Sequence, residues 1–289
     1  MGRVSKSEKD LIAGSVAMLG IPSDENSSFM RGSAKAPPCI RQVLYNGASN
    51  TCSELGVNIE EENVFCDCGD MKLKKGLKGL QQIENQIDRY LKKGTHVLSL
   101  GGDHAITYPI IKGFSRNYQG MTILQFDAHS DTYDDFEGNR YSHASPFARI
   151  MEEQLVQRLI QVGIRTLTNH QRHQIDKFGI EVIEARHFKT PLELELTGPL
   201  YISIDLDVLD PAFAPGVSHH EPGGLNIRDI VNIIHHIQVP IVGADIVEYN
   251  PLRDVSDMTA MVAAKFIKEL SGKMIRQKLL GRSTFSVEH

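Results

Sequence analysis

Short apolar runs alternate along this chain with longer stretches in which apolar residues recur at every third or fourth position. The runs fall at residues 15–21, 63–67, 97–100, 123–126, 159–163, 181–183, 201–204 and 241–247, and each reads as a strand. Between them, Leu77, Leu80, Ile83, Ile87 and Leu91 line one face of an amphipathic helix. A second helix is predicted over 40–45, starting after Pro37 and Pro38, because proline suits a first helical turn. Others are predicted around 106–114, 145–153, 169–178, 227–237 and 258–270. Strands interleaved with helices imply a mainly parallel β-sheet flanked by helices on both faces. No repeat, low-complexity tract or linker-like shift in composition divides the chain. Residues 1–289 are therefore expected to form a single α/β domain, with 1–14 and 273–289 peripheral to it.

The polar residues that punctuate this pattern gather at a few places. The run 123–126 leads into Asp127, His129 and Asp131, at alternate positions that extended backbone would turn to one side. Asp205 and Asp207 repeat the arrangement after 201–204, and His104 follows 97–100 through Gly101-Gly-Asp. All three groups lie just past the C-terminal ends of predicted strands, the edge at which open parallel sheets bind ligands. Carboxylates and imidazoles crowded into one volume repel or stay unpaired unless a cation sits among them. One such loop alone could be an ordinary polar turn; three at equivalent strand ends are hard to read as coincidence. Two histidines and four aspartates suffice for two metals. Oxygen and imidazole donors without thiolate favour Mn²⁺ or a similar ion over a structural zinc. Two such ions ~3.5–4 Å apart would acidify a shared water to near neutral pH.

Three further positions are candidates with a plainer reading beside each. His143 lies a short loop beyond the first ligand group. It is either a residue near a helix cap or the acid that protonates a leaving amine, since imidazole titrates in the useful range. Glu248 follows 241–247 and could pair with Arg253, or hold a planar cation in a bidentate grip. The Pro- and Gly-rich segment 210–224 reads as an ordered pocket wall, in which His219 and His220 are wall or solvated residues. His235 and His236 fall within a predicted helix and read as structural or exposed.

Composition narrows the partners. The chain has 289 residues and a net charge of -5 with no basic stripe, which argues against nucleic acid and against an anionic membrane surface. No apolar run approaches the ~20 residues of a membrane span. The first ten residues are charged, without the apolar stretch of a signal peptide. Four cysteines, with Cys66 and Cys68 followed by no second pair, read as reduced thiols. A cytoplasmic protein acting on a small molecule is expected.

Four stretches together carry a resemblance. Gly101-Gly-Asp-His104, Asp127-Ala-His-Ser-Asp131, Ser203-Ile-Asp-Leu-Asp-Val-Leu-Asp-Pro211 and Ala244-Asp-Ile-Val-Glu-Tyr-Asn-Pro251 resemble the ureohydrolases, the arginases and agmatinases. The likeness runs from about residue 20 to about 270. Phe136-Glu-Gly-Asn-Arg-Tyr-Ser-His-Ala-Ser145 and Pro215-Gly-Val-Ser-His-His-Glu-Pro222 are most similar to plant-type arginases. The resemblance implies an arginase-like three-layer α/β/α fold and two Mn²⁺ per chain. His104, Asp127, Asp131 and Asp205 would hold one ion, and Asp127, His129, Asp205 and Asp207 the other. Asp131 would also orient the attacking hydroxide, Glu248 would bind the guanidinium and His143 would shuttle the proton. It further implies a guanidino substrate, L-arginine giving L-ornithine and urea, with agmatine or a guanidino acid as the alternative, and a homo-oligomer, trimer or hexamer. For the substrate's far end, loops 134–142 and 217–221 offer donors, among them Asn139, Ser142 and His219.

Overall fold

The computed structural model describes residues 8–61 and 64–283, and side chains as far as residue 277. Eight strands form one sheet: β1 (Val16–Gly20), β2 (Phe65–Asp70), β3 (His96–Leu100), β4 (Thr122–Phe126), β5 (Arg158–Ile164), β6 (Glu181–Glu184), β7 (Leu200–Asp205) and β8 (Ile241–Val247). All pairings are parallel, in the order β2-β1-β3-β8-β7-β4-β5-β6. Each predicted run is a strand of this sheet; Asn63, inside the predicted 63–67, lies outside the described residues. Seven helices accompany it: α1 (Ala36–Tyr45), α2 (Leu77–Leu91), α3 (Thr107–Ser115), α4 (Pro146–Glu152), α5 (Asn169–Phe178), α6 (Ile227–His236) and α7 (Met258–Ser283).

Period-two alternation divides the core between the two sheet faces. Val16, Met18, Leu98, Leu124, Phe126 and Ile202 face one cluster with α1, α6 and α7. Ala17, Leu19, Val97, Ile123 and Tyr201 face the other with α2, α3 and α4. On the second face Phe114 packs edge-on to Tyr201 at 4.9 Å, and any side chain at Gly243 would collide with that ring. Phe114→Ala would cost about 3–5 kcal/mol by the usual penalty for emptying such a position.

Local signals explain the helix ends. Pro37 and Pro38 sit in the first turn of α1, and Thr168 with Gln171 and Asn226 with Asp229 form capping boxes on α5 and α6. The exception is α7, which continues past the predicted end at 270 to Ser283. Ser271, Gly272 and Lys273 break the apolar period, yet Met274 and Ile275 are 1% exposed, so the packed body reaches beyond residue 273. No described helix is long and apolar enough to cross a membrane.

Candidate metal centre and active site

The middle of the sheet, β3-β8-β7-β4, brings four loops to one edge. His104 stands in a short 3-10 turn after β3, Asp127 immediately after β4, Asp205 at the last position of β7, and Glu248 immediately after β8. The turn after β3 is held tight: a side chain at Gly102 would collide with the Ser23 backbone. Neither acidic cluster is a straight continuation of its strand, as alternation had suggested. After Phe126 the chain leaves β4, and Asp131 lies at φ 50, in the left-handed region. Asp205 caps a 3-10 turn by accepting from Asp207 N at 2.8 Å. Glu248 is also left-handed, at φ 64. Strained backbone at two such positions is a mark of sites held by their surroundings.

Two ligand groups result. His104 Nδ1 lies 3.1 Å from Asp127 Oδ2, 3.0 Å from Asp131 Oδ2 and 3.2 Å from Asp205 Oδ2. His129 Nδ1 lies 3.0 Å from Asp207 Oδ2 and 3.7 Å from Asp127 Oδ1. Within each group one ligand atom per residue falls within 4.8 Å of the others, and Asp127 belongs to both. Asp205 groups only with His104.

The donor set fits a metal. The Ser203 hydroxyl donates to Asp245 Oδ1 at 2.7 Å and so has its lone pairs for His104 Nε2–H, 3.0 Å away. That leaves His104 Nδ1 buried and without a hydrogen bond, although three carboxylate oxygens stand within reach. A buried imidazole nitrogen aimed into a knot of carboxylates is the donor arrangement that a metal ion suits. Two of the carboxylates report the same crowding of negative charge, whereas Asp127, although burial opposes it, is held below its ordinary value by His104 and His129. Burial and the neighbouring Asp127 push Asp131 up to about 6, and burial with Asp207 and Asp127 pushes Asp205 well above the usual range.

Beside the ligands, His143 and Glu248 form a buried pair, Nδ1 to Oε1 at 2.9 Å. Burial opposes a charged His143, but the Glu248 carboxylate outweighs it and raises the imidazole to about 9. Burial likewise opposes ionisation of Glu248, yet His143 and the His104 backbone N–H, at 2.8 Å, hold it below its ordinary value. Arg253 goes elsewhere, donating to His220 Nδ1 at 3.0 Å, so the plain ion pair with Glu248 is not formed. The N-cap of α4 is Ser145, so His143 does lie near a helix cap, while its ring is turned to Glu248 and Ser28.

Sequence reasoning missed the group on the other side of that ring. Ser28 Oγ sits 2.8 Å from His143 Nε2. Its loop is tied to the β3 turn, because Asn26 N and Ser27 Oγ donate to the buried Asp103 at 3.0 and 3.3 Å. A pocket of about 190 Å³ opens here, lined by His129, Asp131, Asp205, Asp207, His143 and Glu248, with Ser28, Tyr133, Thr166, Thr168, Gln171 and His219 among the others. His219 stacks on His143 with centroids 5.4 Å apart. Asn139 and Ser142 do not line it: Asn139 donates to Asn26 Oδ1 at 3.1 Å, and the buried Ser142 accepts from Ala144 N at 3.3 Å. His235 pairs with Glu269 and His236 with the Asn232 carbonyl, away from the pocket, as a structural reading requires.

Comparison with known proteins bears on the same residues. The model of the Arginase family matches residues 14–272. The chain belongs to the arginase family. It is similar to a protein named mitochondrial arginase 1 from Arabidopsis thaliana, 46% identical over 278 residues that cover 90% of this chain and 81% of that one. An agmatinase from Bacillus subtilis is 33% identical over 88% of this chain and 89% of its own length. Among solved structures, an arginase from Medicago truncatula superposes with a TM-score of 0.84 at 43% identity, over 90% of this chain and 87% of that one. An arginase-family chain is a metal-dependent hydrolase of guanidino C–N bonds, and the buried His and Asp groups are where this one can hold metal.

Proposed function

We propose that this chain is an arginase that hydrolyses L-arginine to L-ornithine and urea with two Mn²⁺. The observation that carries the reading is the pair of ligand groups sharing Asp127, set beside the His143–Glu248 pair in one pocket. Greater identity to a plant arginase than to an agmatinase favours arginine over agmatine. His104, Asp127, Asp131 and Asp205 would hold one ion, and Asp127, His129, Asp205 and Asp207 the other. When bound, the ions supply a water acidified to near neutral pH and a counter-charge for the ligands.

The remaining work falls to side chains. Asp131 accepts a hydrogen bond from the attacking oxygen and turns it toward the guanidinium carbon. Glu248, kept ionised beside His143, binds the guanidinium. His143, charged at neutral pH, releases its proton to the departing amine. His219 meets the substrate further out, while Asn139 and Ser142 act by holding the loop that bears His143. Free cysteines at all four positions agree with a cytoplasmic protein, although the Arabidopsis relative is named mitochondrial. We take the assembly to be a homo-oligomer, trimer or hexamer, which light scattering would check.

The deciding experiment measures urea release from arginine, agmatine and guanidino acids by protein stripped of metal and reloaded with Mn²⁺. Faster cleavage of agmatine at equal low concentration would move the assignment to agmatinase. No urea from any of them would remove the reading.

A further inference from the structure

Beneath the ligands, β4 and β5 carry two amides among apolar neighbours. Gln125 and Gln161 are register partners across the two strands, and both are 0% exposed. Gln161 Nε2 donates to Gln125 Oε1 and to the Ser130 carbonyl, each at 2.7 Å, and Gln161 Oε1 accepts from Ser130 Oγ at 2.9 Å. Ser130 Oγ is met in turn by Thr132 Oγ1 at 2.9 Å. These bonds settle which way each amide faces. With its oxygen taken by Gln161, Gln125 must turn its NH₂ upward, where it donates to Asp127 Oδ2 at 2.7 Å and to the His129 carbonyl at 3.3 Å. Every polar atom of the two amides has a partner.

Two apolar residues would serve the sheet at least as well, because buried amides stabilise little beyond what their desolvation costs. The gain lies at Asp127. Its Oδ1 accepts from His129 N at 2.6 Å and its Oδ2 from Gln125, one protein N–H for each oxygen. The carboxylate plane is thereby fixed with Oδ2 toward His104 and Oδ1 toward His129. Alternation puts Gln125 and Asp127 on one side of the strand, so the donor arrives from directly below.

We infer that Gln125 is a positioning residue for the shared carboxylate: backed by Gln161 and Ser130, it presets Asp127 to serve both metal positions. The inference rests on the two-metal reading above. Because Gln125 holds the oxygen that faces His104, its loss falls on the ion of that group more than on the ion beside His129.

The test counts metal on the full chain rather than turnover. Protein is stripped with a chelator and titrated with Mn²⁺, the free ion being followed by its magnetic resonance signal, and the metal-free protein is melted in parallel. Wild type takes up two ions. Gln125→Met keeps the length of the side chain and removes the donor. It is expected to hold one ion as wild type does and the other ~10–100-fold more weakly, the usual cost of losing a group that orients a ligand. The metal-free melting temperature should fall only modestly, since Gln161 Nε2 keeps the Ser130 carbonyl and Asp127 keeps the His129 N–H. Gln161→Met, one step further back, should weaken the same ion by less. Unchanged affinity for both ions in Gln125→Met overturns the inference and leaves the metal reading intact. So does equal weakening of both ions together with a lowered metal-free melting temperature, which marks a purely structural role. If Gln125→Met fails to fold, Gln161→Met decides, with selective loss of one ion supporting the inference and no loss overturning it. A wild-type chain that binds no Mn²⁺ overturns both readings together.

Discussion

His104 and His219 both belong to the proposed site and differ in nearly everything that fixes a side chain. His104 is 0% exposed, follows a central strand, has one ring nitrogen bound to Ser203 and faces three carboxylates with the other. His219 stands on a loop after β7, with its Nε2 lacking a partner. Its neighbours are rings, His143 at 5.4 Å, Phe29 at 5.5 Å and His129 at 5.9 Å. Burial and the charge on His143 keep it below the ordinary imidazole value, hence neutral. On the proposed reading the reacting end would be held by directional bonds at strand ends, and the far end by ring contacts between loops. A scaffold of this kind lets substrate preference change at the rim while the chemistry below stays in place.

The sharpest way to break that division is at its most connected point. Asp127→Ala should abolish urea release and cost the protein both ions, whereas Asp207→Ala should cost chiefly the ion beside His129. Equal metal retention by the two variants, measured by elemental analysis, would show that Asp127 is not shared in the way described. Next in size, His143→Ala should lower kcat by ~10²–10⁴-fold with metal content intact. Near-normal turnover would return His143 to a structural part.

A third effect is read in stability. His143 is raised in the folded chain to about 9, so its contribution is complete below the unfolded imidazole value near 6.5 and is lost as pH climbs through 9. Melting of metal-free wild type should therefore decline from pH 6.5 to 9 more steeply than melting of His143→Phe; parallel curves would contradict the pairing with Glu248. The smallest effect belongs to the rim. His219→Ala should narrow the kcat/KM advantage of arginine over agmatine by about 2- to 10-fold, the worth of one neutral hydrogen bond, and Asn139→Ala by less, since Asn139 does not reach the pocket. A larger effect from Asn139 would reverse that order.

The same contrast explains what could be read from the sequence. All eight strands were legible because buried parallel strands are compact apolar runs. The gathering of His104, Asp127, His129, Asp131, Asp205 and Asp207 at one sheet edge was legible because ionisable residues repeatedly closed those runs. Their spacing was right for a reason that the backbone did not share, since Asp131 reaches its place through a left-handed turn. The end of α7 was hidden by Ser271, Gly272 and Lys273, where contact with other segments overrides the apolar period. Ser28, Thr166 and Thr168 were missed because hydroxyls are common in loops and these come from two distant ones, after β1 and after β5. Asn139 and Ser142 were placed at the substrate because a loop's sequence does not say which side faces inward; Asn139 turns to Asn26, and Ser142 to its own turn.

The strand order also has a consequence in time. His104 and Asp127 leave β3 and β4, which are close in the chain, yet β8 and β7 lie between these strands in the sheet. Those two follow β3 and β4 in chain order, so a nascent chain carrying β3 and β4 still lacks the spacers that set the ligands at their final separation. Pairing β3 directly with β4 is a trap to which the unfinished polypeptide is most exposed, and long-range parallel pairing is slow to correct. Ions that bind only the completed arrangement act afterwards as a seal, stabilising the finished order of strands over any that was tried on the way.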